Sequence, residues 1–308
     1  MVAERIVSLI ASATEILCAL GLRDRLVGVS HECDYPADVR GLPVLSEPKI
    51  DPGRPGGEID GSVRALVREG LSVYRVKTDL LEQLRPDLVV TQDQCEVCAV
   101  SLRDVEAACA ALARTDVRVC SLRPNVLDDV RADFRRVGEA AGVPERAADL
   151  VASFDARLAA LAARTRGLAR PRVALVEWLD PPMVAGGWMP ELARLAGAEP
   201  VIVTAAERFR TVTWDEIGAA DPDAVVLLPC GWAPDRTRAE LADPSTAAAV
   251  RALRATRAGR TWVADGNAFF NRPGPRLADS AAILAAILHA GAFGAPPPAA
   301  TAAPWGSR

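Results

Sequence analysis

The sequence contains few of the residues on which several large classes of protein depend. Its 308 residues include two histidines, and aromatic residues make up only 5% of the chain. The net charge of −4 provides no basic field for nucleic acid, and the low aromatic content argues against a surface for stacking bases. No stretch approaches the ~18 uninterrupted apolar residues that a membrane-spanning helix needs. We therefore expect a chain that neither binds nucleic acid nor spans a membrane.

Familiar catalytic and nucleotide-binding motifs are also missing. There is no GxGxxG after a strand, no GxxxxGKS or GxxxxGKT, and no GxSxG. His289 falls late in the last helical pattern, so a Ser–His–Asp triad would have to use His31, which has no elbow-like serine beside it. These absences favour a binding protein over an enzyme.

The seven cysteines are scattered, and their number is odd, which does not fit a disulfide framework in a small secreted domain. Cys18, Cys109 and Cys120 lie in apolar runs and are expected in the core. A strand is predicted to begin near Arg5, which leaves no room for a signal peptide. We therefore expect a reducing, cytoplasmic compartment.

Short apolar runs alternate with longer helical patterns along most of the chain. Helical patterns cover Thr14–Leu20, Leu102–Ala113 and Ala278–His289. This alternation predicts an α/β fold with parallel, Rossmann-like sheets covered by helices. The predicted strands are Arg5–Ile10, Leu26–Val29, Asp87–Thr91, Val117–Ser121, Arg172–Val176, Pro200–Val203, Ala224–Leu228 and Thr261–Ala264.

The elements divide into two α/β lobes, at 1–125 and 170–291. Residues 126–169 are almost entirely helix-forming and predict one long connecting helix with a break at Gly142-Val143-Pro144. Residues 292–308 are rich in proline and alanine, which predicts a disordered tail. "LRPDLVVTQDQC" in the first half resembles "ADPDAVVLLPCG" in the second, which indicates that strands and helices are connected in a similar order in the two lobes.

Candidate site residues lie in the loops after the predicted strands, because ligands of open parallel sheets bind outside the carboxyl ends of the strands. Two facing lobes would then form a cleft between these loops. After the first strand, Ser12 and Glu15 fit a capping box, which predicts a helix that begins near Ala13 with its amides towards a ligand. After the second strand come His31, Cys33, Asp34 and Tyr35.

A CxxC motif follows the Asp87–Thr91 strand in "QDQCEVC". If the two loops meet, His31 and Cys33 join Cys95 and Cys98 in a complete tetrahedral ligand set for zinc. The same groups fit a polar, thiol-bearing pocket lining. A third interpretation is a Cys95–Cys98 redox couple.

The metal interpretation also allows an enzyme. The His31/Cys33/Cys95/Cys98 group would hold zinc or iron with one coordination position open, and Glu177 or Glu96 would act as acid and base.

The second lobe places aromatic and basic residues in its predicted cleft loops. Aromatic groups there suit a large, flat, partly apolar ligand, and arginines suit its polar edges. The candidate ligand-binding residues in this lobe are Trp178, Trp188, Trp232, Phe269, Arg272 and Arg276.

The segment "RIVSLIASATEILCALGLRDRLVGVSHECDYP" and the later "LLEQLRPDLVV" resemble the class III periplasmic binding-protein family, and within it the cobalamin-binding group. Members of this family bind vitamin B12, haem or ferric siderophores for ABC importers. The resemblance extends over about Arg5 to Ala290. It implies two α/β lobes joined by a rigid long helix, with a small-molecule ligand held between them and little hinge motion.

The resemblance also implies roles for individual residues. The Asp34-Tyr35-Pro36 segment matches the family's loop with an aromatic at the corrinoid face, and Trp188 and Phe269 match aromatics expected in the second lobe. Surface glutamates of the family dock an importer. The sequence thus predicts a cytoplasmic receptor for cobalamin, another corrinoid or a related metal chelate, with an ABC importer as a possible partner. His31 or a thiol of the cleft would approach the metal of the ligand.

Overall fold

The computed structural model describes residues 2–69, 72–93, 102–110, 112, 117–202, 209–294 and 296–306. The strands are β1 Ile6–Ser8, β2 Leu26–Val29, β3 Ser46–Pro48, β4 Tyr74–Val76, β5 Leu88–Gln92, β6 Arg118–Leu122, β7 Arg172–Leu179, β8 Pro182–Ala185, β9 Glu199–Pro200, β10 Phe209–Thr211, β11 Ala224–Leu227, β12 Thr261–Ala264 and β13 Ala302–Pro304. The helices are α1 Ala11–Ala19, α2 Gly56–Arg68, α3 Thr78–Leu84, α4 Leu102–Ala110, α5 Leu127–Ala141, α6 Pro144–Thr165, α7 Met189–Leu195, α8 Trp214–Ala219, α9 Pro234–Glu240, α10 Pro244–Ala252, α11 Arg254–Arg257, α12 Leu277–Leu288 and α13 Ala290–Phe293.

The chain forms two compact units. The first unit contains Met1–Arg54 and Glu58–Phe154, and the second contains Pro55–Gly57 and Asp155–Arg308. Each unit is built on its own sheet with helices around it, which confirms the predicted α/β fold class.

The sheet of the first unit has four strands in the order β2-β1-β5-β6, and every pairing is parallel. On one face, Val7 and Val89 pack in a cluster with Val105 of α4. On β6, the Cys120 thiol lies 3.9 Å from the Arg136 carbonyl of α5. Helices on both faces explain why successive residues of β1 and β5 are apolar and buried.

The sheet of the second unit has a parallel centre and antiparallel edges. Strand β11 lies between β7 and β12, parallel to both, and the short β9 pairs in parallel with the start of β7. Strand β8 turns back on the end of β7 as a hairpin, and β10 extends that side. The carboxyl ends of β7, β11 and β12 therefore lie at one edge, where their loops form one group.

The predicted connecting helix at 126–169 is two helices rather than one. Gly142 ends α5 in a left-handed conformation with φ 76°, and Pro144 begins α6. Helix α5 packs on α1, β5 and β6 in the first unit, with Phe134 and Val137 fully buried. One division between the units falls within α6, and the other places the first two residues of α2, Gly56 and Gly57, in the second unit.

The prediction of a disordered tail is wrong for residues 302–304. They form β13, which pairs antiparallel with β12 at the edge of the second sheet. Ala302 is 1% exposed, and the Arg251 guanidinium lies 5.4 Å from the ring centre of Trp305. Composition alone suggested disorder, but three residues of strand pairing and one aromatic anchor are enough to order this end.

Helix α6 is 22 residues long and carries charged side chains along its length. In the described parts of the chain, no helix combines the length and apolar character needed to cross a membrane.

Helix α5 buries a carboxylate against the first sheet. Asp133 is 0% exposed, and its Oδ1 accepts hydrogen bonds from the Arg136 guanidinium and, at 3.5 Å, from the Arg123 backbone N–H. Its Oδ2 is buried without a hydrogen-bond partner in the described structure. Burial raises the pKa of Asp133 to about 6, although the Arg136 charge lowers it.

The loops after β11 and β12 approach each other backbone to backbone. A Cβ added at Gly266 would overlap the carbonyl oxygens of Leu228 and Pro229. The Asn271 side-chain amide bridges the two loops by donating to the carbonyls of Leu228 at 2.9 Å and Gly266 at 3.0 Å. Only glycine at position 266 allows this distance between the loops.

The raised pKa of Asp133 predicts that the first unit loses stability as the pH rises from about 4 to 6. Below this window, the carboxyl is protonated in both the folded and the unfolded chain. Within it, the unfolded chain releases the proton while the folded chain keeps it, which costs on the order of 2–3 kcal/mol by pH 7. Asp133→Asn removes this dependence. Amide hydrogen exchange of α5, corrected for its intrinsic pH dependence, should then vary less with pH than in the wild type.

Asp149→Asn is the matched control, because Asp149 is exposed on α6 within the first unit. Identical pH profiles for the wild type and Asp133→Asn would show that Asp133 is not the titrating group.

Gly266→Ala should destabilise the second unit by about 1–3 kcal/mol, because the added methyl group forces the two loops apart. All six tryptophans lie in the second unit, so denaturant unfolding followed by tryptophan fluorescence reports on that unit. Gly291→Ala serves as the control, since a Cβ at Gly291 meets nothing within 4 Å. Equal unfolding midpoints for the two variants would contradict the prediction.

Candidate functional site

The loop after β1 differs from its predicted form. Helix α1 begins at Ala11, two residues earlier than expected, with Ile10 as the N-cap and no side-chain cap. The predicted capping box is therefore wrong. Ser12 and Glu15 lie within the helix and are 2% and 3% exposed, so they belong to the buried edge of the sheet.

A chain of buried hydroxyls fixes the loop after β2. Thr14 of α1 donates to the Ser8 hydroxyl at 2.8 Å, and the Cys33 thiol lies 3.0 Å from the Thr14 oxygen. The same thiol lies 3.2 Å from the Ser30 hydroxyl. Cys33 is 6% exposed, so its thiol anchors the loop to α1.

His31 is held by a different neighbour. The Ser46 hydroxyl of β3 accepts the His31 backbone N–H at 3.1 Å and lies 2.8 Å from the ring Nδ1. The ring packs on Tyr74 of β4, with the ring centres 5.1 Å apart. Burial and then the Lys77 charge lower the pKa of His31 below its usual range. The imidazole is therefore neutral at pH 7, with Nε2 4.0 Å from the Glu32 carboxylate.

Tyr35 is the prominent apolar group of this loop and is 47% exposed. The Arg40 side chain donates to the Asp34 carbonyl at 3.2 Å, which ties this turn to the following 3-10 helix. Asp34 itself is half-buried.

Half of the predicted metal group lies outside the described residues, namely Cys95 and Cys98, as does Glu96. Among the residues that are described, no three or more His, Cys, Asp or Glu side chains form a group able to hold a metal. His31 and Cys33 contact different partners, Ser46 and Thr14. The metal site and the Cys95–Cys98 redox couple stay predictions.

In the second unit, the end of β7 and the loop after β11 bring two tryptophans together. Trp178 and Trp232 have ring centres 4.7 Å apart with planes tilted by 47°. Trp232 is 5% exposed and Trp178 is half-buried. The Cys230 backbone N–H donates to the Glu177 carbonyl at 3.0 Å, which joins the β11 loop to β7. Trp178 is the accessible member of the tilted pair, and the buried Trp232 supports it at the carboxyl end of the sheet.

The loop after β12 is held by internal hydrogen bonds. The Asp265 carboxylate accepts the backbone N–H groups of Asn267 at 3.0 Å and Ala268 at 2.7 Å. Trp188 donates its indole N–H to the Phe270 carbonyl at 2.8 Å, and Ser280 accepts the Phe270 N–H at 3.1 Å. These bonds hold Phe270 at φ 24°, a conformation that non-glycine residues rarely adopt.

The two arginines of this loop differ in exposure. Arg276 is partly exposed, with its guanidinium 5.2 Å from the ring centre of Phe269. Arg272 is 7% exposed and donates to the Asn267 side chain at 3.0 Å, so it braces the loop. The prediction that both meet the polar edge of a ligand fits the position of Arg276 better.

Sequence reasoning missed two residues that shape this site, Arg236 and Glu240, which lie beside the tryptophan pair. Asn271, which ties the β11 and β12 loops together, lies in a loop that the sequence had indicated. The i, i+4 spacing of Arg236 and Glu240 was the one signal visible in the sequence.

The family model described as "Periplasmic binding protein" matches residues 6–260 of the chain. The vitamin B12-binding protein of Vibrio vulnificus (strain CMCP6) is 24% identical over 229 residues, which cover 73% of this chain and 71% of that protein. The vitamin B12-binding protein of Vibrio parahaemolyticus is 23% identical over 277 residues, which cover 89% and 85%.

Solved structures share the fold. A periplasmic haem-binding protein from Pseudomonas aeruginosa is 24% identical with a TM-score of 0.69, and the match covers 92% of each chain. The periplasmic vitamin B12-binding protein of Vibrio cholerae is 19% identical with a TM-score of 0.67, and the match covers 95% of this chain and 99% of that one. These names say periplasmic, so they do not support the predicted cytoplasmic location. The match of the family model over most of the sequence shows that this chain belongs to the periplasmic binding protein family.

Proposed function

We propose that this chain is a binding protein for a corrinoid, with cobalamin as the leading ligand. One observation carries the proposal: the end of β7 and the loops after β11 and β12 bring the half-buried Trp178, backed by the buried Trp232, and Phe269 to the carboxyl end of the second sheet, with Arg276 against Phe269. A large, flat, partly apolar ligand with polar groups at its rim suits such a surface. The relatives named as vitamin B12-binding proteins support the same ligand.

The corrinoid ring would lie against aromatic side chains, while its peripheral amides would accept hydrogen bonds from Arg276. In the first unit, the half-exposed Tyr35 is the aromatic candidate for a ring face. Hydrogen bonds that already fix each loop reduce the ordering cost of binding, because few groups have to be immobilised when the ligand arrives.

His31 is the proposed ligand for cobalt. Its lowered pKa keeps the imidazole neutral at pH 7, which is the form that coordinates a metal. Ser46 and Tyr74 hold the ring in place.

Membership of the family supports an ABC importer as the partner that receives the ligand. A cytoplasmic location would instead imply storage or internal transfer of the corrinoid. Fractionation of cells that carry the natural gene, followed by detection of the protein, decides between these compartments.

Wild-type protein should bind cyanocobalamin with one-to-one stoichiometry in equilibrium dialysis. Trp178→Ala should weaken this binding about tenfold, through loss of aromatic contact area and stacking. Trp305→Ala is the control, because Trp305 lies beside Thr261 at the opposite end of β12 and should bind as the wild type does. The corrinoid proposal would be contradicted by an absence of binding at micromolar concentrations of cyanocobalamin. A clear preference for haem in a competition experiment would contradict it as well.

Aquocobalamin should show an absorbance shift on binding at pH 7 as an imidazole replaces the cobalt-bound water. Because burial lowers the pKa of His31, the shift should persist through the pH range in which a free imidazole becomes protonated and fade only in more acidic solution. His31→Gln should bind aquocobalamin without the shift. Dicyanocobinamide, whose axial positions are both filled, is the control ligand and should show no shift with either protein. A full shift with His31→Gln would assign the cobalt ligand to another side chain.

A further inference from the structure

Trp232 is part of a connected series of contacts in the second unit. The Arg236 guanidinium lies 4.3 Å from the Trp232 ring centre and donates to Glu240 Oε2 at 2.9 Å. The other carboxylate oxygen of Glu240 accepts the Gly56 backbone N–H at 2.6 Å. Since Trp178 packs on Trp232, the series runs from the aromatic pair through α9 to the first residue of α2. We call these five residues the tryptophan clasp.

On the side of Trp178, the series of contacts returns to the backbone at Gly57 through Asp180. The indole N–H of Trp178 donates to the Asp180 carbonyl at 3.0 Å, and a Cβ added at Gly57 would overlap the Asp180 carboxylate. A Cβ at Gly56 would lie 2.9 Å from Glu240 Oε1 and 3.2 Å from Trp232 Cη2. A Cβ at either position would push against these side chains, which shows how closely the backbone at Gly56 and Gly57 approaches the clasp.

The stability of α9 does not account for the Arg236–Glu240 pair. Glu240 is the last residue of α9, where the helix dipole disfavours a negative charge. Arginine followed by glutamate is also the weaker order for an i, i+4 pair. The Glu240 side chain is nevertheless only 10% exposed. Its burial is balanced by two contacts, the Arg236 guanidinium and the Gly56 amide, and both belong to the clasp.

We propose that Arg236 and Glu240 are positioning residues for ligand binding. Arg236 covers one face of Trp232 and so fixes the ring against which Trp178 tilts. Glu240 fixes Arg236 and, through the Gly56 amide, holds residues 55–57 beside the pair. The aromatic surface is thus set before the ligand arrives. The inference rests on the proposed function, because it takes Trp178, which packs on the buried Trp232, as a ligand contact.

Three variants and one control test the clasp. Arg236→Gln removes the cation over Trp232. Glu240→Gln keeps an acceptor for the Gly56 amide but removes the carboxylate charge that pairs with Arg236. Glu240→Ala removes both the acceptor and the charge. Arg238→Gln, on the same helix, is the control, since Arg238 lies outside the clasp.

Each variant is measured in three ways. The exciton couplet of the tryptophan pair in circular dichroism reports ring geometry in the ligand-free protein. Hydrogen exchange of the Gly56 amide reports its contact with Glu240. Equilibrium dialysis reports the dissociation constant for cyanocobalamin.

We expect Arg236→Gln to diminish the couplet and to weaken cobalamin binding about three- to tenfold, since the rings must then be ordered on binding. Glu240→Gln should diminish the couplet while the Gly56 amide stays protected. Glu240→Ala should diminish the couplet and speed exchange of the Gly56 amide at least tenfold. Arg238→Gln should match the wild type in all three measurements.

A wild-type couplet in both Arg236→Gln and Glu240→Ala overturns the inference, as does a changed couplet with unchanged cobalamin affinity. Failure of the wild type to bind cobalamin contradicts the proposed function instead. In that case, a couplet lost in Arg236→Gln still supports the fixing of the tryptophan pair by Arg236. The two failures are therefore distinguishable.

Discussion

Parallel strand pairing is the constraint from which the site of this protein follows. Parallel neighbours cannot be joined by a tight turn, so the chain returns over a face of the sheet, mostly as a helix, before the next strand begins. All parallel strands therefore begin at the same end of the sheet and finish at the opposite end. In the second unit, this rule puts the loops after β7, β11 and β12 side by side, and chemistry encoded far apart in sequence meets there.

The loops at these edges are irregular but firmly held. In the first unit, hydroxyl and thiol groups of Thr14 and Cys33 link the β2 loop to α1. In the second, Asn271 joins two loops, and Gly266 lets their backbones touch. Each loop therefore has its own buried polar anchor, which satisfies backbone groups and fixes the aromatic side chains. A binding protein gains affinity from this order, because the ligand does not have to organise its own site.

Much of the fold was readable from the sequence, because buried strands of parallel sheets are short apolar runs with a distinctive setting between helices. The eight predicted strands each overlap an observed one, although the run Pro200–Val203 does so only at Pro200. Errors arose where a local pattern competed with tertiary contacts. Ser12 and Glu15 had the spacing of a capping box, yet the helix begins at Ala11 and both are buried. The alanine- and proline-rich tail looked disordered, yet the edge of β12 supplies a pairing partner.

The sequence by itself determined the fold class, the family and the loops in which the site residues lie. Hydrophobic periodicity and the order of elements are local properties, and they are written directly in the chain. Tertiary structure decided which of those residues are buried and which stay accessible. It buried Arg272 behind Asn267, directed the Cys33 thiol towards α1, and placed Arg236 over Trp232. These outcomes depend on the distance and orientation between loops far apart in sequence, and residue spacing along the chain carries no measure of either.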